Sequence, residues 1–249
     1  MFYEKIIIDL RRYMFALTDC RTDPKILCSL DRLGYETIPM PPADYLQSGV
    51  ASHTDMLIFI GFGKLFCHEK YYVANRELID RIASLCCVEL TLSDEPIGTE
   101  YPRDVLFNAC LLGKRLICKK STVSKLILDA AEGLGYEIIN VNQGYTKCSV
   151  AVVSENAVIT ADKSIGSACS SVGIDVLTIC EGHISLPPYD YGFIGGASGF
   201  YDDKVYFCGS LDRHPDGDRI KEFCKKHGKV AISLCDGVLQ DVGTLFLFK

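Results

Sequence analysis

The chain has 249 residues, 48% hydrophobic and 23% charged, enough to bury a substantial core as one large domain or two ordinary ones. Its net charge is −6 and no Lys/Arg run exceeds two residues, so it lacks the basic footprint that nucleic-acid binding requires. No tract approaches the roughly 18 apolar residues of a membrane span, so neither nucleic acid nor a membrane is an expected partner.

The N-terminal stretch MFYEKIIIDLRRYMFALTDC has Asp9, Arg11 and Arg12 where a secretion signal needs a continuous apolar run, which points to the cytoplasm. Within it KIIIDL reads as a strand. DPKILCSLDRLG then has helical spacing with Gly34 behind it, and GYETIPM reads as a strand. After a polar loop, DMLIFIG and KLFCH read as two strands joined by the turn GFGK. The helix ANRELIDRIASL follows, then the strand LCCVELTL.

The same order returns three more times. DVLFNACLL and KRLICKK lead to the helix STVSKLILDAAEGLG and the strand GYEIINV. CSVAVVS and AVITAD lead to DKSIGSACSSVG, the weakest helix because Gly166 and four serines lower its propensity, and then to GIDVLTI. YGFIGGAS and KVYFCGS lead to HPDGDRIKEFCKKHG and GKVAISL. A final strand, GTLFLFK, ends the chain.

These units are an internal repeat. Their opening strands start at Gly34, Cys87, Gly135, Gly173 and Gly228, with spacings of 38 to 55 residues. The interval from Gly228 through the C-terminus and on from the N-terminus to Gly34 is of the same size. The expected fold is therefore α/β: a single domain over residues 1–249, built as a five-bladed ring of three-strand-plus-helix repeats. The ring would close by pairing of the N- and C-terminal segments, GTLFLFK with KIIIDL.

This organisation, with NQGYTKCSVAVV, ITADKS and YDYGFIGGASG as local marks, resembles the pentein superfamily, the guanidino-group-modifying enzyme fold, and within it a bacterial branch of unknown function. The resemblance covers essentially the whole chain. It implies loops converging near a pseudo-fivefold axis, where a cysteine attacks a guanidino carbon while histidine and carboxylates move protons and hold the cation. The superfamily also contains a ribosome anti-association factor that is not an enzyme, so the fold leaves function open.

Carried residue by residue, the resemblance assigns His183, after the fourth opening strand, as the acid–base group. It assigns Asp55 and Asp104, before the second strands of the first two units, as carboxylates for a cation. The third unit, where a carboxylate is expected, offers Gln143, Lys147 and Cys148. The fifth unit departs from the enzymes, with Gly243 and Thr244 where the nucleophilic cysteine belongs. Cys148 is then the candidate nucleophile, with Lys147 beside it to favour thiolate.

Each candidate also has a plainer reading. Cys148 could be one of 13 cysteines acting as small core residues, and neighbours along a strand point to opposite faces. His183 could bond its own loop, and aspartates at strand starts also close turns. No C-x-x-C occurs and no histidines pair at i, i+4, so the cysteines read as reduced thiols and no metal or organic cofactor is expected. Two functions remain: a Cys/His hydrolase or group transferase on a small cationic, amidine or guanidino compound, or a non-catalytic binding or scaffold protein. The oligomeric state is left open.

Overall fold

The structure is a computed structural model that describes residues 14–249; the segment KIIIDL, expected to be the closing strand, lies outside the described residues. The chain opens with β1 (Met14–Asp19), α1 (Pro24–Arg32) and β2 (Tyr35–Met40). It continues through α2 (Thr54–Leu57), β3 (Ile58–Gly61), β4 (Lys64–His68), α3 (Glu69–Ala74), α4 (Arg76–Leu85) and β5 (Glu89–Ser93). Next come β6 (Cys110–Leu112), β7 (Arg115–Cys118), α5 (Lys125–Gly133) and β8 (Glu137–Asn140), then α6 (Thr146–Ser149), β9 (Ala151–Ser154), β10 (Ala157–Thr160), α7 (Lys163–Ser171) and β11 (Asp175–Thr178). The last elements are β12 (Ile184–Ser185), β13 (Ser198–Tyr201), β14 (Lys204–Phe207), α8 (Gly217–Lys226), β15 (Val230–Ser233), β16 (Leu239–Gln240) and β17 (Phe246–Phe248).

Among the described residues, fifteen of the strands form five separate three-stranded sheets: β3-β4-β5, β6-β7-β8, β9-β10-β11, β13-β14-β15 and β17-β1-β2. In every sheet the middle strand pairs antiparallel with the first and parallel with the third. A parallel pair needs a long crossover, and each unit supplies it with a helix. The C-terminal strand does close a sheet with the N-terminal part of the chain. Its partner is MFALTD, with Phe15 opposite Phe248.

The sequence repeat has a backbone cause. Gly34, Gly135, Gly173 and Gly228 all have φ between +67° and +89° at the turn from helix to third strand. That left-handed turn suits glycine because no Cβ clashes there. Cys87 takes the same turn in the remaining unit, at φ +53°.

Among the described residues, five buried apolar clusters tie the sheets together in sequence. One joins β1 and β2 to β3 and β4, through residues such as Leu17, Ile38, Ile58 and Leu65. The next joins β3 and β4 to β7 through Phe59, Phe66 and Leu116, and a third joins β7 to β10 through Ile117 and Val158. A fourth joins β10 to β14 through Ile159 and Phe207, and the fifth returns from β14 to β1 and α1 through Tyr206, Ala16 and Leu30. A cavity of about 190 Å³ is lined by residues of β3, β6, β9, β13 and β17, the first strands of all five sheets.

Two expectations are corrected. The second strands begin later than their apolar runs: Asp55–Leu57 and Cys148–Ser149 belong to single helical turns, and Tyr191–Ala197 is loop. Close packing explains the last case, since a methyl group on Gly195 would collide with the carbonyl oxygens of Lys147, Val150 and Cys148. Second, α3 was not visible as a helix; it starts where His68 Nδ1 accepts from the Lys70 N–H at 3.1 Å. The weak helix α7 does form, because Asp162 caps it, accepting from the N–H groups of Ser164 and Ile165 at 2.8 and 3.0 Å. Among the described residues no helix is long and apolar enough to cross a membrane.

Asp162→Ala is expected to cost about 1 kcal/mol of stability, the usual value of an N-cap, measured by urea unfolding. Asp162→Asn should retain most of it.

Candidate functional site

The five short segments that precede β3, β6, β9, β13 and β17 meet. From them come Asp55, Asn108, Cys148, Gly195 and Thr244, and hydrogen bonds connect these five residues. Cys148 Sγ donates to Asp55 Oδ2 at 3.2 Å, and the Asn108 amide donates to Cys148 Sγ at 3.0 Å and to the Asp55 carbonyl at 3.2 Å. Asn108 Oδ1 accepts from the N–H groups of Lys147 and Cys148, at 2.7 and 3.3 Å. The Thr244 hydroxyl lies 2.7 Å from Asp55 Oδ2 and 3.1 Å from the Gly195 carbonyl, both acceptors for its single proton.

His53, the residue before α2, adjoins this cluster. His53, Asp55 and Cys148 each offer a nitrogen, oxygen or sulfur atom, and these atoms all lie within 4.8 Å of one another. The imidazole sits between two carboxylates, with Nε2 3.6 Å from Asp19 and Nδ1 3.8 Å from Asp241. Those distances exceed hydrogen-bonding range, and among the described residues neither ring nitrogen has a partner. All five side chains, of Asp19, His53, Asp55, Cys148 and Asp241, are buried.

The carboxylates differ in their surroundings. Burial works against the charge of Asp19, but the Arg21 guanidinium and N–H, with Ser52, hold its carboxyl below the usual range. Arg21 also donates to the carbonyls of Ser48 and Gly49 and so fixes the loop beside the site. Asp241 accepts from the N–H groups of Phe193 and Gly243, yet burial and the nearby Asp55 push it up. Burial, then Asp55 and Asp241, pushes the Cys148 thiol well above its ordinary value, so sulfur stays protonated in the free protein.

His53, Cys148 and Asp241 line a cavity of about 300 Å³. Its other walls are the aromatic side chains of Tyr145, Tyr189, Tyr191 and Phe193, together with Val50, Leu186 and Asp190. Among the described residues no lysine or arginine lines it. Such a pocket, aromatic and acidic, is electrostatically suited to a small cation.

The sequence-derived candidates divide. Asp55 and Cys148 are in direct contact. Lys147 is half-buried and its ammonium reaches away from the sulfur, to Thr244 Oγ1 at 3.2 Å and the Val150 carbonyl, beside the cavity between the five sheets. Asp104 is buried and accepts from the Tyr145 hydroxyl, one step behind the wall of the aromatic cavity. Gln143 accepts from the Tyr145 N–H at 3.2 Å and lines a neighbouring cavity of about 180 Å³.

His183 is exposed, packs edge-on against His214 with ring centroids 5.5 Å apart, and does not line the cavity that Cys148 lines. Sequence reasoning missed His53, Asn108, Thr244, Asp19 and Asp241. A polar residue inside an apolar run, as Asn108 is in DVLFNACLL, was the available signal.

The chain belongs to a family of unknown function, DUF6873, whose model matches residues 17–246. Its fold is that of the pentein superfamily. It is similar to a dimethylarginine dimethylaminohydrolase from Pseudomonas aeruginosa complexed with citrulline (TM-score 0.59, 10% identity, covering 95% of this chain and 98% of that one). It is also similar to an agmatine deiminase from C. jejuni (0.51, 10%, 90% and 87%) and to an amidinotransferase of the saxitoxin pathway from Microseira wollei (0.53, 12%, 84% and 72%). Such low identity establishes the fold and transfers no residue roles. Comparison with curated proteins finds no match.

Two outcomes follow from the electrostatics. On native protein, alkylation of Cys148 is expected to be slow, with an apparent pKa above the reference of about 8.5, whereas exposed Cys20, Cys28 and Cys87 label quickly. Site-resolved mass spectrometry from acid to alkaline pH reads this, and a thiolate-like Cys148 at neutral pH would contradict the geometry. Burial raises the Asp104 carboxyl above its unfolded value. Its contribution is therefore fully present below about pH 4 and is lost as pH rises through the folded value. Unfolding free energy of Asp104→Asn should lack that downward slope, and an unchanged slope would refute the assignment.

Proposed function

We propose that this protein binds a small amidine or guanidino cation in the aromatic cavity and breaks one of its C–N bonds, with Cys148 as nucleophile and His53 as acid–base group. The observation that carries the reading is one juxtaposition. A cysteine sulfur hydrogen-bonded to a buried carboxylate borders a cavity whose charged lining, among the described residues, is acidic apart from the histidine. The sheet pattern and the cyclic series of apolar clusters support reading the fold as a five-bladed ring of one domain, with this site at one end of its axis.

The cation is held by Asp190 and Asp241 and by the aromatic faces, as a planar guanidinium prefers. Its charge offsets the carboxylate field that keeps sulfur protonated. The Cys148 proton then passes to Asp55 Oδ2 as sulfur attacks the amidine carbon. The tetrahedral adduct collapses as the departing nitrogen takes a proton from His53 and the C–N bond breaks, leaving a thiouronium on Cys148. Water attacks that carbon and gives one proton to His53; as the C–S bond then breaks, Asp55 returns its proton to the sulfur, and the O-protonated carbonyl product loses the second water proton to solvent. An amine in place of the water makes the same site a transferase.

Lys147, Gln143 and Asp104 take supporting positions in this reading. Lys147 holds Thr244 against Asp55, and Asp104 fixes the phenol of Tyr145 in the cavity wall. His183 has no step. The non-catalytic alternative differs in one measurable way, since it predicts binding without turnover.

A panel of guanidino and amidine compounds should show release of amine or ammonia by wild type. Cys148→Ser is expected to lower turnover at least about a thousandfold while still binding substrate. Asp241→Asn should weaken binding at least about tenfold. Saturable binding with no product from any compound would overturn the catalytic reading and leave a binding protein.

A further inference from the structure

We infer that His53, Asp55 and Cys148 also form a binding site for one divalent transition-metal ion of the zinc class. The inference does not rest on turnover of an amidine: the three donors converge whether or not sulfur is ever a nucleophile.

The geometry comes first. One nitrogen, one oxygen and one sulfur atom lie within 4.8 Å of one another, and Cys148 Sγ and Asp55 Oδ2 are already 3.2 Å apart. Zinc–ligand bonds of about 2.0 to 2.3 Å at tetrahedral angles place donor atoms roughly 3.5 Å apart. Closure therefore needs only a small approach by His53, and its ring has no hydrogen bond to break in making it.

The second observation is polar dissatisfaction. Both His53 ring nitrogens and Asp55 Oδ1 are buried without a hydrogen-bond partner among the described residues, in side chains that are 0% and 1% exposed. Buried polar groups of this kind are costly, and native structures rarely leave them so. A cation among the three donors would satisfy an imidazole nitrogen and the carboxylate together.

The surroundings fit a metal in three further ways. Whichever imidazole nitrogen faces the ion, the other has a carboxylate within 4 Å, Asp19 or Asp241, the usual outer partner of a metal-bound histidine. The Asn108 amide already donates to Cys148 Sγ, as outer groups do to a bound thiolate. His53 and Cys148 both line the aromatic cavity, so the fourth coordination position opens there. Imidazole, thiolate and carboxylate together favour zinc, cobalt or copper over magnesium or calcium.

Binding forms a metal–sulfur bond and breaks the S–H bond of Cys148, releasing its proton to solvent. The lone pair that would attack an amidine is then committed to the metal. An occupied site and a nucleophilic Cys148 exclude each other, so the ion would act as an inhibitor of the sulfur chemistry proposed above.

The test uses the full chain, stripped with chelator and titrated with Co²⁺, then displaced with Zn²⁺. Wild type should bind one equivalent, with a thiolate-to-cobalt charge-transfer band and the visible spectrum of a four-coordinate ion. His53→Gln and Asp55→Asn should each weaken binding at least about tenfold while keeping that band. Cys148→Ser should lose the band, and Cys180→Ser, at an exposed thiol, should leave everything unchanged. Should Cys148→Ser fail to fold by circular dichroism, the His53→Gln and Asp55→Asn titrations decide. No one-equivalent binding in wild type, or wild-type affinity in both of those variants, would overturn the site. Metal binding with no amidine turnover would sink only the catalytic reading, and turnover in a chain that binds no cobalt would sink only this one.

Discussion

The site depends on the side chain of Asn108 more than on any other single group. Its carboxamide is 1% exposed and bonds on both sides. Oxygen accepts from two successive N–H groups, of Lys147 and Cys148, while nitrogen donates to the Asp55 carbonyl and to the Cys148 sulfur. One planar group thus fixes the turn before β9 to the turn before β3. An aspartate there would lose the donors and add another buried charge, and a leucine would take a hydrogen bond from the Lys147 and Cys148 N–H groups, the Asp55 carbonyl and the Cys148 sulfur, costly losses in the interior. The short distance between Cys148 and Asp55 is a consequence of that clamp.

From the clamp comes the electrostatic character of the site. Asp19, Asp55 and Asp241 are held close together and away from water, with Arg21 compensating only Asp19 directly. Charges in such surroundings interact strongly, because solvent cannot screen them. The interior carries a deficit of positive charge, expressed as the upward shifts of Cys148 and Asp241. An organic cation in the cavity and a metal ion among the three donors are two ways of relieving the same deficit. They differ in whether Cys148 sulfur ends bonded to carbon or to metal.

The repeat was legible in the sequence because its cause is local. A left-handed backbone turn after each helix selects glycine, and Gly34, Gly135, Gly173 and Gly228 mark it without reference to the rest of the fold. Cys148 and Asp55 were legible because they open the same kind of segment in different units. Asn108 and His53 were not, since their meaning lies in contacts between distant parts of the chain, as between Asn108 and Cys148, 40 residues apart. Lys147 misled because adjacency in sequence is not adjacency in space: the turn of α6 sends its ammonium to Thr244 and leaves the sulfur to Asp55 and Asn108. His183 matched a position in the repeat, but its exposed ring packs on His214 while the later part of the same loop, from Leu186 to Phe193, lines the cavity.

Thr244 occupies the point where the resemblance to the pentein enzymes places the attacking cysteine. It is also backbone-strained, at φ +68°, a conformation costly for a β-branched residue. What maintains it is visible: its N–H donates to the Gly196 carbonyl at 2.9 Å, and its hydroxyl lies against Asp55. A methyl group on the preceding Gly243 would collide with His53, so the chain can pass through this point only in this form. The strain is thus coupled to the placement of His53 and Asp55 and not to any reactivity of the threonine hydroxyl. In the proposed reading the attacking sulfur belongs to the third unit, on Cys148, and the last unit serves as a support, with the Thr244 hydroxyl lying against Asp55.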